Sequence, residues 1–428
     1  MKRKLRIAIN AQIPSGSGAG GIETVVRVLT SFNRLNGDEE YVFIGHWADS
    51  DWLKPLLSER QSIVRAPPPA QKQHQPTRAE NLKRVLEPLR PLARGVKRLF
   101  VPPPEVQIGV PSSDGFYENL DCDVIHFPYQ DFVRCRVPSV YNPHDLQHLH
   151  YPEFFAPEEI QRREVVYPAA CRAADTIVVV SQFVKQDLIQ RYGIEADKIQ
   201  IIEGLPLEIT LNAFTEKDVD SLLEKYECPP RPFILYPAMT WEHKNHIRLL
   251  EAVALLRERQ QLKVNVICTG YKNAFYPRIE QRLQELKLEG QVKFTGIVST
   301  EELSVLYRQA QLVIIPTLFE AASAPLFEAW QHGVAVACSS VTSLPEQAAG
   351  AALLFNPFSV EDIADAVKTI TADNALRAEL RSQGFKRLRD FDIERTAKSY
   401  RAVYRKAAGV SLNDEDKYLL NRNSMCDS

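Results

Sequence analysis

Glu320 and Glu328 stand eight residues apart in a segment, 316–333, that also carries Pro325 and Gly333. A carboxylate in a loop and another just inside a helix can accept hydrogen bonds from sugar hydroxyls. The N–H groups of an exposed helix start favour a phosphate. The pair therefore suits a sugar nucleotide, whose hydroxyls need acceptors and whose diphosphate needs donors. The flanking elements must place the two groups. The apolar run Leu312–Ile315 reads as a buried strand that ends just before the loop. Pro325 belongs in the first turn of a helix, where its missing N–H costs nothing, and Gly333 stops that helix before a strand at Val334–Ala337. Glu320 then lies at a strand's carboxyl end and Glu328 about one turn into the helix, the edge where open α/β sheets bind ligands.

This stretch resembles the donor-site signature of the retaining glycosyltransferases of family 4, the group-1 glycosyl transferases. There a glutamate, seven residues and a second glutamate lead into a short helix that ends in glycine. The run from Cys338 through Pro345 and Glu346 to Leu353 and Pro357 is similar to the same family. The resemblance takes in roughly residues 5–65 and 120–408. It implies an α/β protein of the GT-B fold, two Rossmann-like domains with parallel sheets facing across a cleft. It also implies transfer of a hexose-type sugar, such as mannose, from a nucleotide-diphosphate sugar to a glycan or lipid-linked acceptor. The nucleotide sugar is the donor substrate, and no cofactor or metal is expected. Bacterial cell-surface polysaccharide assembly is the commonest setting for such proteins. One departure stands inside the signature: Ala321, Ala322, Ser323 and Ala324 replace the usual Gly-Phe-Gly-Leu. Small residues still let a ligand approach the backbone, but alanine does not readily take the positive φ open to glycine.

A departing diphosphate builds negative charge, so a transferase of this kind needs a cation beside it. Lys244 is the candidate, in the segment 237–246 that follows the strand Phe233–Tyr236 and precedes a helix from about Ile247. The family usually has an arginine five residues earlier. Met239 occupies that position, which leaves His243, His246 or a first-domain residue to supply the second charge. Residues 16–21 formally match Gly-x-Gly-x-x-Gly, but Ala11 to Ser15 separate them from the first strand and the second strand ends in Gly45 and His46. That argues against a dinucleotide oxidoreductase. The resemblance instead implies that Gly20 and Gly21 approach the donor diphosphate.

His144 and Asp145 follow the strand Ser139–Tyr141, where the pair suits an acceptor hydroxyl, Asp145 orienting or charging His144. With His148 they are also of the type that ligates metal. His126 ends the strand Val124–Phe127 and is a further candidate, with Pro128 where similar proteins carry a second histidine. Asp121 and Asp123 imitate a metal-binding Asp-x-Asp, yet they precede that strand and so fall at its amino end, away from ligands. Ser181 reads as a helix N-cap. The resemblance assigns the donor sugar's hydroxyls to Glu320, the ribose to Glu328, and the base to the backbone of Gly296, Ile297 and Val298. It assigns further donor contacts to Ala321, Ala322 and Ser323, and places His144 and Asp145 near the anomeric carbon.

With 428 residues, 45% of them hydrophobic, the chain can bury two sizeable cores. A formal net charge of −2 argues against a nucleic-acid partner. Seven cysteines without paired spacing point to a reducing, cytoplasmic setting. No run approaches the roughly 20 apolar residues of a membrane span, and residues 1–10 read as a first strand rather than a signal peptide.

Apolar runs alternate with helical patterns. Strands are expected at Leu5–Asn10, Tyr41–Ile44, Val124–Phe127, Ser139–Tyr141, Thr176–Val180 and Ile199–Ile202 in the first half. In the second they are expected at Phe233–Tyr236, Val264–Cys268, Val292–Thr295, Leu312–Ile315, Val334–Ala337 and Ala352–Phe355. The division reads as an acceptor-binding domain, 1–207, a proline-interrupted linker, 208–230, and a nucleotide-sugar-binding domain, 231–390. A helix at 391–408 packs back on the first domain, and a polar, frayed tail occupies 409–428. A proline-rich insertion at 66–118 breaks the alternation. Its Lys83, Arg84, Arg90, Arg94, Lys97 and Arg98 interleave with leucines. Residues 66–104 read either as an amphipathic element on an anionic membrane, at the inner face of the plasma membrane, or as a solvated insertion broken by Pro88 and Pro91. Two rival functions stay open at this point. One is a sugar-nucleotide 2-epimerase; the other is a non-catalytic glycan-binding or scaffold subunit, suggested by Met239 and the run Ala321–Ala324.

Overall fold

Two parallel sheets organise the chain in this computed structural model, which describes residues 4–13, 26, 29, 37, 39–68, 108–204 and 214–421. The first sheet holds β1 (Arg6–Ala11), β2 (Glu40–Gly45), β3 (Gln61–Arg65), β4 (Val124–Phe127), β5 (Ser139–Tyr141), β6 (Thr176–Val179) and β7 (Ile199–Ile201). Their spatial order is β3-β2-β1-β4-β5-β6-β7. The second sheet holds β8 (Phe233–Pro237), β9 (Asn265–Thr269), β10 (Val292–Gly296), β11 (Leu312–Ile315), β12 (Val336–Ser339) and β13 (Leu353–Phe355), in the order β10-β9-β8-β11-β12-β13. β4, β5, β6, β8, β11 and β12 are buried along their whole length, which is why their sequences are largely apolar, with His126, Ser139, Thr176 and Ser339 as buried polar exceptions.

The strand missing from the sequence reading is β3. It pairs with β2 at the sheet's edge, and Ser62 and Arg65 face solvent, so it has no apolar run to betray it. Parallel strands need crossovers, so the carboxyl ends of each sheet gather on one edge. The two sheets meet through loops of that edge. Tyr151 and Gln182, which follow β5 and β6, contact Leu318 and Glu346, which follow β11 and β12.

Three boundaries differ from expectation. The linker region contains a helix, Glu216–Lys225, opened by a Thr215–Asp218 capping box, and its Val219 and Leu222 are part of the second sheet's core. The prolines at 206, 229 and 230 flank this stretch rather than interrupt it. The tail is not frayed through its length: Asp414–Asn421 is a helix whose Asp416 is buried. Arg405 reaches Asp416 at 3.0 Å and Glu39 at 2.6 Å, so one guanidinium ties this helix to the first domain. The preceding helix, Ile393–Ala407, puts Tyr400, Val403 and Tyr404 into the first domain's core. Finally, the insertion ends early, because Ile108, Val110, Phe116 and Tyr117 pack with the first core. The basic stretch at 81–100 and the glycines Gly20 and Gly21 lie outside the described residues. No helix among the described residues is long and apolar enough to cross a membrane.

Candidate active site

A pocket of about 320 Å³ opens at the carboxyl edge of the second sheet. Met239, Trp241 and Lys244 line it from the loop after β8, Gly270 from the end of β9, Glu320 from the loop after β11, and Glu328 from the helix Ala324–Gln331. Lys244 Nζ lies 2.6 Å from Glu320 Oε1, with the two side chains 21% and 12% exposed. Both partners are held by their backbones. Lys244 ends a short 3₁₀ turn, and its carbonyl accepts from the buried Tyr236 hydroxyl at 2.7 Å. Asn245, at φ 62°, donates from Nδ2 to the carbonyls of Pro316 and Pro357, both at 2.9 Å. The Leu318 N–H donates to the His243 carbonyl at 2.7 Å, stitching the lysine loop to the glutamate loop. The Glu320 N–H donates to Thr342 Oγ1 at 3.0 Å, and its carbonyl accepts from Ser343 Oγ at 2.8 Å.

Sequence reasoning missed all four of these clamps, Tyr236, Asn245, Thr342 and Ser343. Only Asn245 carried a signal, since asparagine tolerates the left-handed region better than most residues.

Glu328 is brought to the same pocket. Its Oε2 accepts from the Tyr307 hydroxyl at 2.6 Å. Burial lifts its pKa above the usual carboxylate value, and the tyrosine hydrogen bond pulls the other way. Gly296 stands next to the pocket through its carbonyl, which accepts from Gly270 N–H at 2.8 Å. Val298 is half-buried and is not among the lining residues.

Several expected roles need correction. His243 and His246 cannot supply the second cation. Burial, aided by the Lys244 charge, holds them neutral with pKa values of about 2 and about 3. His246 sits between the rings of Tyr236 and Phe294, at 4.7 and 5.7 Å. Among the described residues that line the pocket, Lys244 is the cation.

Ala321 and Ala322 do not line the pocket either. They border a small crevice between the domains with Ser181, Glu203, Gly204 and Glu346, and Ala321 packs against the first core. The two domains are tied beside it by the Glu346 carboxylate, which accepts from the N–H groups of Gln182 and Phe183 at 2.8 and 3.2 Å. Neither Ala321 nor Ser323, which stand where the family has its glycines, is left-handed, so no positive φ is forced on a residue with a side chain there. The main chain of Ser323 is clamped by the Gln347 amide in both directions, at 2.8 and 2.9 Å.

On the first domain, His126 is fully buried between Tyr404 Oη at 2.9 Å and Asn142 Oδ1 at 3.0 Å. It fastens the helix Ile393–Ala407 to β4 and does not reach the cleft. His144 holds φ 66°, a strained conformation for a residue with a side chain, and its ring Nε2–H donates to the Pro128 carbonyl at 2.9 Å. Pro128, not Asp145, orients it. The Asp145 carboxylate instead accepts the Gln147 N–H at 2.9 Å, though its charge still raises the histidine pKa against the larger effect of burial. His148 is buried against Phe155 and Tyr167 rather than joined with His144. Asp123 accepts the Arg6 N–H at 2.8 Å at the amino end of β4, and Ser181 caps its helix by accepting from Val184 N–H at 3.2 Å.

Phe319, next to Glu320, is 3% exposed and packs among His150, Tyr151 and Phe183 of the first domain. The structure thus gathers Lys244, Glu320 and Glu328 in one pocket, and sets His144 and Asp145 on the carboxyl edge of the other sheet.

The buried histidines carry a prediction for stability. The folded pKa values of His126 and His246, about 4 and about 3, lie below the ordinary 6.5 because burial disfavours the charged ring. The unfolded chain therefore binds these protons first as the pH falls. Stability is fully present above pH 6.5 and is lost on the way down, each histidine removing about 1.4 kcal/mol per pH unit. The melting temperature is expected to fall between pH 7 and pH 5. Glu328 and Glu346, whose pKa values burial raises, act in the opposite sense. His246→Phe, which should fit between the two rings, is expected to flatten the slope; an unchanged slope contradicts the assignment.

Two facing parallel α/β sheets, with a lysine–glutamate pair and a second glutamate at the carboxyl edge of one of them, define a GT-B glycosyltransferase. Comparison with known proteins agrees. A model of glycosyl transferases group 1 matches residues 220–387, and one of glycosyltransferase family 4 matches residues 19–204. The chain belongs to the group-1 glycosyl transferases of family 4. It is 26% identical over 276 residues to the O-antigen chain mannosyltransferase B of Escherichia coli, covering 62% of this chain and 72% of that one. It is 30% identical over 227 residues to the serotype-specific mannosyltransferase WbdA of Escherichia coli, 52% of this chain but only 28% of that much longer protein. The crystal structure of Anabaena HepE with UDP and glucose superposes with a TM-score of 0.64 at 16% identity, over 94% of this chain and 100% of that one, a likeness of fold.

Proposed function

We propose that this glycosyltransferase moves mannose from a nucleotide-diphosphate mannose to a glycan or lipid-linked acceptor, with retention of anomeric configuration, in the assembly of a cell-surface polysaccharide. The names of its mannosyltransferase relatives support the sugar and the setting. The observation that carries the chemistry is the Lys244–Glu320 pair at 2.6 Å inside the second domain's pocket. An entering diphosphate competes for the ammonium, and the carboxylate so released accepts hydroxyls of the donor sugar. As the glycosidic bond breaks, charge develops on the phosphate, where Lys244 and the helix start near Pro325 stabilise it. Glu328 receives the ribose. His144, on the facing edge, lies toward the anomeric carbon and the acceptor hydroxyl, which attacks on the face the diphosphate leaves.

The reaction is metal-independent in this reading. Lys244 supplies positive charge at the phosphate, and Asp123 of the Asp-x-Asp sequence accepts the Arg6 N–H at the amino end of β4. Thermal-shift titration with GDP, UDP, ADP and dTDP sugars tests it, with and without EDTA. One nucleotide class is expected to stabilise the protein, equally in EDTA. Transfer to acceptor is then followed by NMR of the new linkage. No stabilisation by any of them, or an inverted anomeric product, overturns the proposal.

The reading also places the enzyme at the inner face of the plasma membrane, through residues 66–104. Flotation on anionic liposomes should be lost when that segment is deleted.

A further inference from the structure

Glu328 would be a poor ribose acceptor if its carboxylate were free to turn or to neutralise, since it is largely buried. Its surroundings hold it in place, and the Tyr307 hydrogen bond opposes the neutralisation that burial favours. The helix Thr300–Gln309 runs beside the helix that carries Glu328, and Tyr307, 1% exposed, donates its hydroxyl to Glu328 Oε2 at 2.6 Å. Burial keeps that phenol protonated far above its ordinary pKa, so it acts as a permanent donor.

Behind the tyrosine ring lies His332, stacked at 4.9 Å with an interplanar angle of 8°. His332 Nδ1 is 2.7 Å from the Glu328 carbonyl and Nε2 is 2.8 Å from Ser304 Oγ. A carbonyl can only accept, so the proton sits on Nδ1 and the Ser304 hydroxyl donates to Nε2. The imidazole thus bolts the last turn of one helix to the other and pins the tyrosine ring between them.

We infer that Tyr307, locked by His332 and Ser304, is a positioning residue that fixes Glu328 with Oε1 available to the ribose hydroxyls, and so sets the preference for ribonucleotide over deoxyribonucleotide donors. This rests on the reading that Glu328 receives the ribose. A fixed, ionised carboxylate offers a defined acceptor to a hydroxyl, and a donor lacking that hydroxyl leaves the acceptor desolvated and unpaired. The titratable groups facing Glu328 are Tyr307 and His332 beside it, with Lys244 and Glu320 in the same pocket, while Arg308 bears on His332. Loss of the Tyr307 hydrogen bond removes the one contact that lowers the Glu328 pKa, so its protonation should move to higher pH.

The test is calorimetric binding of GDP and UDP, each against its 2′-deoxy and 3′-deoxy analogues, across pH 5 to 8. The wild-type chain is expected to bind one ribonucleotide about tenfold or more tighter than a deoxy analogue, with affinity falling on the acid side. Tyr307→Phe is expected to lose most of that preference and to shift the acid limb upward. A variant that discriminates as well as the wild type, with an unmoved acid limb, overturns the role of Tyr307 alone. A wild type indifferent to both hydroxyls overturns the ribose reading together with it. Should Tyr307→Phe fail to fold, Ser304→Ala serves, since it frees one side of His332. A smaller loss of discrimination in the same direction supports the inference, and none overturns it.

Discussion

Lys244→Ala is expected to lower kcat by about 10²–10³-fold, the usual cost of removing one preorganised group that meets developing charge. The expectation is at the upper end here because Met239 stands where a second cation is usual, and His243 and His246 are held neutral by burial. No other described lining residue can take over. The same substitution strips Glu320 of its partner at a site only 12% exposed. Breaking a buried pair from one side costs about 3–5 kcal/mol, and partial solvent access here should keep the loss to the lower end or below. Thermal melting and steady-state kinetics separate the two effects. Adding Glu320→Gln to Lys244→Ala should recover most of the melting temperature and none of the rate. A single variant that keeps more than a tenth of wild-type kcat sinks the assignment of Lys244 to the leaving group.

Gly270→Ala is expected to be the most damaging small change in the pocket wall. Gly270 holds φ 116°, and a Cβ there would stand 2.7 Å from the carbonyl carbon and oxygen of Ala238 and 2.8 Å from Met239 N. Strained backbone of this kind costs about 1–3 kcal/mol, and forcing the neighbouring backbone aside costs a comparable amount. The displaced segment is the Ala238–Met239 wall that leads to Lys244, so donor affinity should fall along with stability. Differential scanning calorimetry and donor titration of the variant check both. Wild-type melting with wild-type affinity would falsify the view that the absence of a side chain at 270 shapes this pocket.

Much of this site was legible in the sequence because its signals are local. Pro325 and Gly333 bracket a helix by their own backbone chemistry, and the short apolar run Leu312–Ile315 before Glu320 reads as a buried strand. Together they put Glu320 and Glu328 at a ligand-binding edge without any knowledge of the fold. Lys244 was reachable in the same way, from its place after β8. His126 shows the limit. A histidine ending a strand at the ligand edge reads as a site residue, yet a tyrosine 278 positions further along the chain, Tyr404, claims its ring. Ala321 and Ala322 show it again. Their neighbour Glu320 lines the pocket of the second sheet, while they themselves border a crevice against the opposite domain with Ser181, Glu203 and Glu346.

The sequence alone determined the two-sheet architecture, nearly all the strands, and the three charged residues of the pocket, since periodicity and turn chemistry act within a few residues. The tertiary structure decided which groups meet. The 2.6 Å contact of Lys244 with Glu320 spans 76 residues, and the Tyr307 clamp on Glu328 joins two helices through a strand. It also decided charge: burial, not residue type, makes His243 and His246 neutral and raises the Glu328 pKa. Desolvation depends on everything packed around a group, and no short stretch of sequence carries that information.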